Sequence, residues 1–105
     1  MSWKLVFRPE FRDDAAEAVD WYESKSPGLG IAFVEEMIIV LGQIEANPLL
    51  RSRRHPSKNI RWRFTDRFPY KVVYEILATE GVIVVAAVLH AARHDRRWIG
   101  RVDEA

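Results

Sequence analysis

Residues 82–89 read Val-Ile-Val-Val-Ala-Ala-Val-Leu, without a polar side chain. Successive side chains of a strand point to opposite faces, so this strand is apolar on both. It belongs in the middle of a sheet. The run is far too short to span a bilayer, and so is the interrupted apolar stretch at 31–44. The chain must therefore supply neighbouring strands and a covering layer from its remaining residues.

Those pieces can be read in order. Trp3-Lys4-Leu5-Val6-Phe7-Arg8 has strand composition and stops at Pro9. Phe11, Ala15, Ala18, Val19 and Tyr22 then recur at helical spacing, with Asp13, Asp14, Glu17 and Asp20 between them. Ser26-Pro27-Gly28 breaks that helix. A second helix spans roughly Leu29 to Ala46, with Phe33, Met37, Val40, Leu41 and Ile44 as its core stripe and Asn47-Pro48 as its stop. Ile31, Val34 and Ile38 widen its apolar arc, which predicts a second packing surface for a partner.

Residues 49–58 read as a basic loop. Asn59–Thr65 alternates Ile60, Trp62 and Phe64 with Arg61 and Arg63, Asp66-Arg67 turns, Phe68–Leu77 forms the next strand, and Thr79-Glu80-Gly81 makes a hairpin loop into the central strand. The order is β-α-α-β-β-β with a short C-terminal tail or helical turn. The expected fold is a single α+β domain over residues 1–105, an antiparallel sheet covered on one face by an αα-hairpin.

Charge divides the chain. Residues 1–50 hold 4 Lys/Arg and 9 Asp/Glu, a net of −5, whereas residues 51–105 hold 12 and 6, a net of +6. Residues 51–71 alone carry 8 basic side chains and one acid, Asp66. Such asymmetry points to an anionic partner. With Ile60, Trp62 and Phe64 turned to the helices, Arg61 and Arg63 would lie on the open sheet face, joined by Lys71 and by Arg93, Arg96 and Arg97 from the tail. That surface would meet nucleic-acid phosphates or an acidic protein. Trp98 would stack on a base or anchor the tail.

His55, His90 and His94 have the right chemistry for acid–base work, although a His ending a buried strand is more often structural. The spacing supports no metal site, since there is no cysteine and no HExxH. Gly28-Leu29-Gly30 lacks the rest of a phosphate loop, and no cofactor is expected. The lack of cysteine fits a reducing cytoplasm, and Met1–Arg8 does not read as a signal peptide.

Taken together, several stretches resemble RelE/ParE-type toxins of bacterial type II toxin–antitoxin modules, the plasmid stabilisation family. They are Pro27-Gly28-Leu29-Gly30 with Phe33, Asn47-Pro48, Arg67-Phe68-Pro69-Tyr70-Lys71-Val72-Val73-Tyr74, and Val88-Leu89-His90-Ala91-Ala92-Arg93 through Arg97 and Trp98. They run in order across residues 3–98. The resemblance implies the β-α-α-β-β-β fold and a small cognate antitoxin that wraps the toxin, with oligomers formed only through that complex. It also implies one of two activities. ParE-like members poison DNA gyrase. RelE-like members cleave ribosome-bound mRNA with basic residues and often a tyrosine near the C-terminus. Trp98, the lack of a tyrosine after Tyr74 and the Leu89–Arg93 ending align this chain with the ParE side. Were it RelE-like, Lys58, Arg61, Arg63 and Arg93 would meet the phosphate. A binding module without toxicity is a third expectation. Ile31, Val34 and Ile38 are the expected antitoxin contacts. Arg61, Arg63, Lys71, Arg93, Arg96, Arg97 and Trp98 are the expected target contacts.

Overall fold

The computed structural model describes residues 3–91. Its elements are β1 (Lys4–Phe7), α1 (Pro9–Lys25), α2 (Leu29–Ala46), β2 (Arg53–Arg54), β3 (Arg61–Phe64), β4 (Tyr70–Leu77), a 3-10 turn (Ala78–Glu80) and β5 (Val82–His90). The sheet order is β1-β5-β4-β3-β2, which places β5 inside the sheet as its composition requires. Strands β2 to β5 pair antiparallel, as the short turns predict. β1 adds to the free side of β5 in parallel, Lys4 opposite Val82 and Phe7 opposite Val85, so the five-stranded sheet is mixed. The chain leaves the helical hairpin into β2 running opposite to β1, and the three antiparallel reversals through β3 and β4 bring β5 into the direction of β1.

Pro9 opens α1, where its missing N–H is no loss. The tight turn into α2 depends on two glycines. Gly28 takes φ +93°, a left-handed conformation that side chains with a Cβ resist. At Gly30 a Cβ would come within 3.0–3.1 Å of Glu23 Oε1, Val19 Cγ1 and the Val19 carbonyl. The helices can approach this closely only because position 30 has no side chain. Glu23 then receives the Gly28 and Gly30 N–H groups at 3.1 and 3.0 Å, placing a carboxylate at the amino end of α2 where unpaired donors need one.

The core lies between the hairpin and one sheet face. Phe33, Ile44, Val72, Tyr74, Ile83 and Val85 are fully buried there, with Phe11, Ala18, Met37, Val40 and Val88. Burying each large side chain is worth about 1.5–3 kcal/mol before entropy. Between Val73 and Tyr74 the β4–β5 register shifts, so Tyr74 faces Val85 while Val73 faces Ala87. This bulge keeps Val85 and Val88 toward the helices and turns Ala87 and Leu89 to the other side. A second, smaller cluster of Ile60, Val73, Ala87 and Leu89, with Trp62 against it, occupies that opposite face.

The second cluster corrects one expectation. Ile60 and Trp62 do not face the helices, and Phe64 follows them by alternation. Arg61 pairs with Tyr74 and Arg63 with Val72, both helix-facing residues, so Arg61 and Arg63 lie on the helix side of the sheet. The basic loop also contains order not expected of it, because Arg53 and Arg54 pair with Trp62 and Arg61 to form the edge strand β2.

Candidate functional site

Arg63 is only 5% exposed. Its Nη1 donates to the Leu50 carbonyl at 3.0 Å and its Nη2 to Gln43 Oε1 at 2.5 Å. Arg61 is half-buried and donates from Nη1 to Ser52 Oγ at 3.1 Å. Between them Tyr74, fully buried, donates its hydroxyl to the Pro48 carbonyl at 2.5 Å. Burial pushes the Tyr74 phenol above its ordinary value, opposed by a hydrogen bond with Ser52 and by the two guanidinium charges. These side chains fasten residues 48–52, which leave α2, onto β3 and β4. Lys58 lies in the loop before β3 and is half-buried; its backbone N–H and that of Ser57 donate to His55 Nδ1, each at 3.1 Å.

Lys71 lies on the sheet face away from the helices, with Nζ over the Trp62 ring at 5.6 Å from its centroid. That face is not bare as expected, since Ile60, Val73, Ala87 and Leu89 on it are at most 2% exposed. Lys71 is not joined there by Arg61 or Arg63, which belong to the other face. Arg93, His94, Arg96, Arg97 and Trp98 lie outside the described residues. The strand arginines therefore do not gather on that face. Its basic side chains near Lys71 come instead from Arg53, opposite Trp62, whose guanidinium sits 5.6 Å from the Phe64 ring centroid.

On the helical layer, Ile31, Val34 and Ile38 are 67%, 41% and 65% exposed, and Ile39 is 55% exposed beside them. Leu49 and Leu50 are also exposed just past the carboxyl end of α2. The periodicity of α2 thus yields a buried stripe and a separate apolar stripe open to solvent.

His90 closes β5 half-buried, its ring edge-on to Tyr70 at 5.4 Å. Both line a cavity of about 390 Å³ with Asp14, Glu17, Trp21 and Val88. Asp14 contributes to the fold there by accepting the Val88 N–H at 3.3 Å. Among the described residues no group of three or more His, Asp or Glu is arranged to hold a metal ion, and no helix is long and apolar enough to cross a membrane.

A family model described as the ParE toxin of the type II toxin–antitoxin system, parDE, matches residues 5–95. The chain belongs to the ParE toxin family. Solved structures share the ParE-family chain's fold at low identity. The chromosomal ParDE toxin–antitoxin system from P. aeruginosa superposes with a TM-score of 0.74 at 12% identity, covering 85% of this chain and 96% of that one. The toxin–antitoxin complex RelBE2 from Mycobacterium tuberculosis gives 0.59 at 20% identity, covering 86% and 99%. A double mutant of the E. coli toxin RelE in the free state gives 0.58 at 14%, covering 96% and 94%. A search of curated proteins gives no significant match.

Two structural features of this ParE-family chain escape a strand-by-strand reading. The network of Gln43, Ser52, Arg61, Arg63 and Tyr74, in which Arg63 and Tyr74 are buried, joins residues up to 31 positions apart, as Gln43 and Tyr74 are, and alternation alone does not reveal such distances. The placement of the Arg53 guanidinium over Phe64 follows from the edge strand β2, which local pattern does not show. The one available signal was β5 itself, because a strand apolar on both faces requires apolar neighbours on both sides.

Proposed function

We propose that this chain is the toxin of a type II toxin–antitoxin pair, that it arrests growth by binding DNA gyrase, and that a cognate antitoxin neutralises it in the cytoplasm. The observation that carries the gyrase reading is the ParE-family match over residues 5–95. The engagement of the strand arginines supports the same side. A phosphate-cleaving site needs cations presented to the substrate together with an acid and a base. Here Arg63 is buried against Gln43 and Leu50, and Arg61 is held by Ser52. Their arrangement serves the fold.

The antitoxin docks on α2. Ile31, Val34 and Ile38 present an apolar stripe at helical spacing, suited to the apolar face of a segment that folds as it binds. Oligomers then form through the antitoxin complex. The ParDE and RelBE2 structures are themselves toxin–antitoxin systems, which supports a partner of this kind.

Induced expression without the neighbouring gene's product tests the reading. Growth arrest with a DNA-damage response and intact mRNA is expected. Arrest with new cuts in ribosome-bound message, lost in Arg61→Ala, would replace it with the RelE-like activity. Unimpaired growth would leave a binding module without toxicity.

A further inference from the structure

The exposed face of α2 holds more than its apolar stripe. Glu35 lies one turn after Ile31 and one turn before Ile38 and Ile39, so its carboxylate stands within that stripe. Glu45 is exposed farther along the helix. Among the described residues neither carboxylate has a hydrogen-bond or ion-pair partner. The neighbouring Glu36, by contrast, is turned inward to the Asp66 and Arg67 N–H groups. α2 contains no lysine or arginine, and the half of the chain that holds both helices is net acidic.

Gly42 is exposed on the same face. Glycine weakens a helix interior relative to alanine. Neither backbone strain nor a close neighbour accounts for it here. Positive φ among the described glycines belongs to Gly28 and Gly81, and a Cβ at position 42 would meet nothing within 4 Å. The result is a notch in the helix surface, with Ile38, Ile39 and Glu45 each about one turn away.

We infer, on the reading that the antitoxin docks on α2, that its docking segment is an amphipathic helix that sets a large apolar side chain into the Gly42 notch and a lysine or arginine against Glu35. Helices interlock where a side chain of one enters a hollow between side chains of the other, and a glycine deepens that hollow. Carboxylates within the stripe disfavour an acidic segment, because like charges would be brought together out of water, and favour a cationic one. From Ile31 to Glu45 the face runs roughly 21 Å at ~1.5 Å of rise per residue, enough for about four turns of a partner helix.

Isothermal titration calorimetry of the full chain with the neighbouring gene's product tests this, with thermal unfolding recorded for every variant. Gly42→Leu should raise the thermal midpoint of the free chain, because leucine is the better helix former and its Cβ meets no neighbour. It should also weaken the complex roughly 5- to 150-fold by overfilling the notch. A role confined to the fold gives the first change without the second. Glu35→Lys should weaken binding by at least about tenfold, Glu35→Gln less, and added salt should weaken the wild-type complex. Ile38→Asp reports on docking itself. Wild-type or tighter affinity in Gly42→Leu or in Glu35→Lys, beside a weakened Ile38→Asp, would overturn the notched, cation-seeking face and leave docking on α2 standing. Absence of a wild-type complex, or wild-type affinity in all three variants, would overturn both.

Discussion

Arg63 on β3 and Gln43 on α2 meet at 2.5 Å, guanidinium to side-chain amide oxygen, beneath the chain that leaves the helix. A cation expected on the sheet face away from the helices is thus a tie between the two layers. Its second bond, to the Leu50 carbonyl, fixes the same segment. Arg63→Ala should therefore lower unfolding stability by about 2–3 kcal/mol, the scale of charged hydrogen bonds lost in a buried place. Arg54→Ala, on the exposed edge, should change it by less than about 0.5 kcal/mol. Equilibrium urea unfolding of both variants checks the contrast.

Glu36 makes the other long-range tie. It is 5% exposed, and its Oε2 accepts the Asp66 and Arg67 N–H groups at 2.6 and 3.0 Å. The carboxylate thereby holds the β3–β4 turn against α2. Glu36→Ala leaves two backbone donors unpaired and should destabilise by about 1–3 kcal/mol. Glu36→Gln keeps one acceptor oxygen and should lose less. Hydrogen exchange at Asp66 and Arg67 should accelerate in the alanine variant.

Tyr74 predicts an alkaline limit. Burial raises its folded-state value above that of an unfolded tyrosine. A raised folded value gives stability that is fully present below the unfolded value, about 10, and is lost as pH rises toward the folded one. Unfolding free energy measured from pH 8 to about 11 should fall at the upper end. Tyr74→Phe should be less stable at pH 8, having lost the bond to Pro48, and should decline less steeply.

Gly30→Ala tests the hairpin contact. The added methyl would press within 3.1 Å of the Val19 carbonyl, which cannot rotate aside. A loss of about 1–3 kcal/mol is expected, read as a lower thermal midpoint.

Much of this architecture was legible in local pattern. The limits of α2 were marked by Pro27-Gly28 and Asn47-Pro48, and the structure ends the helix at Leu29 and Ala46. Phe33, Met37, Val40 and Ile44 are buried as their spacing implies. The facing of β3 was not legible. Alternation divides Ile60, Trp62 and Phe64 from Arg61 and Arg63, but it does not say which set meets the helices. That choice depends on Gln43 and Leu50 being ready to receive a guanidinium, and on Val73, Ala87 and Leu89 forming a second apolar cluster opposite. The parallel addition of β1 was also hidden, because its partner Val82–Val85 lies far along the chain.

The proposed docking stripe on α2 allows folding and partner binding to be tested separately. Ile38 is 65% exposed, so Ile38→Asp should leave thermal stability nearly unchanged. It should weaken the complex with the neighbouring gene's product by at least tenfold, since a charge would be desolvated against an apolar face. Isothermal titration calorimetry of the two chains measures it.

Inhibition of DNA gyrase by the purified chain is the most direct measurement of the central claim. In a supercoiling assay the chain should block conversion of relaxed plasmid to supercoiled plasmid, and adding the neighbouring gene's product should restore it. Undiminished supercoiling at excess folded toxin, together with cleavage of ribosome-bound mRNA by the same preparation, would contradict it.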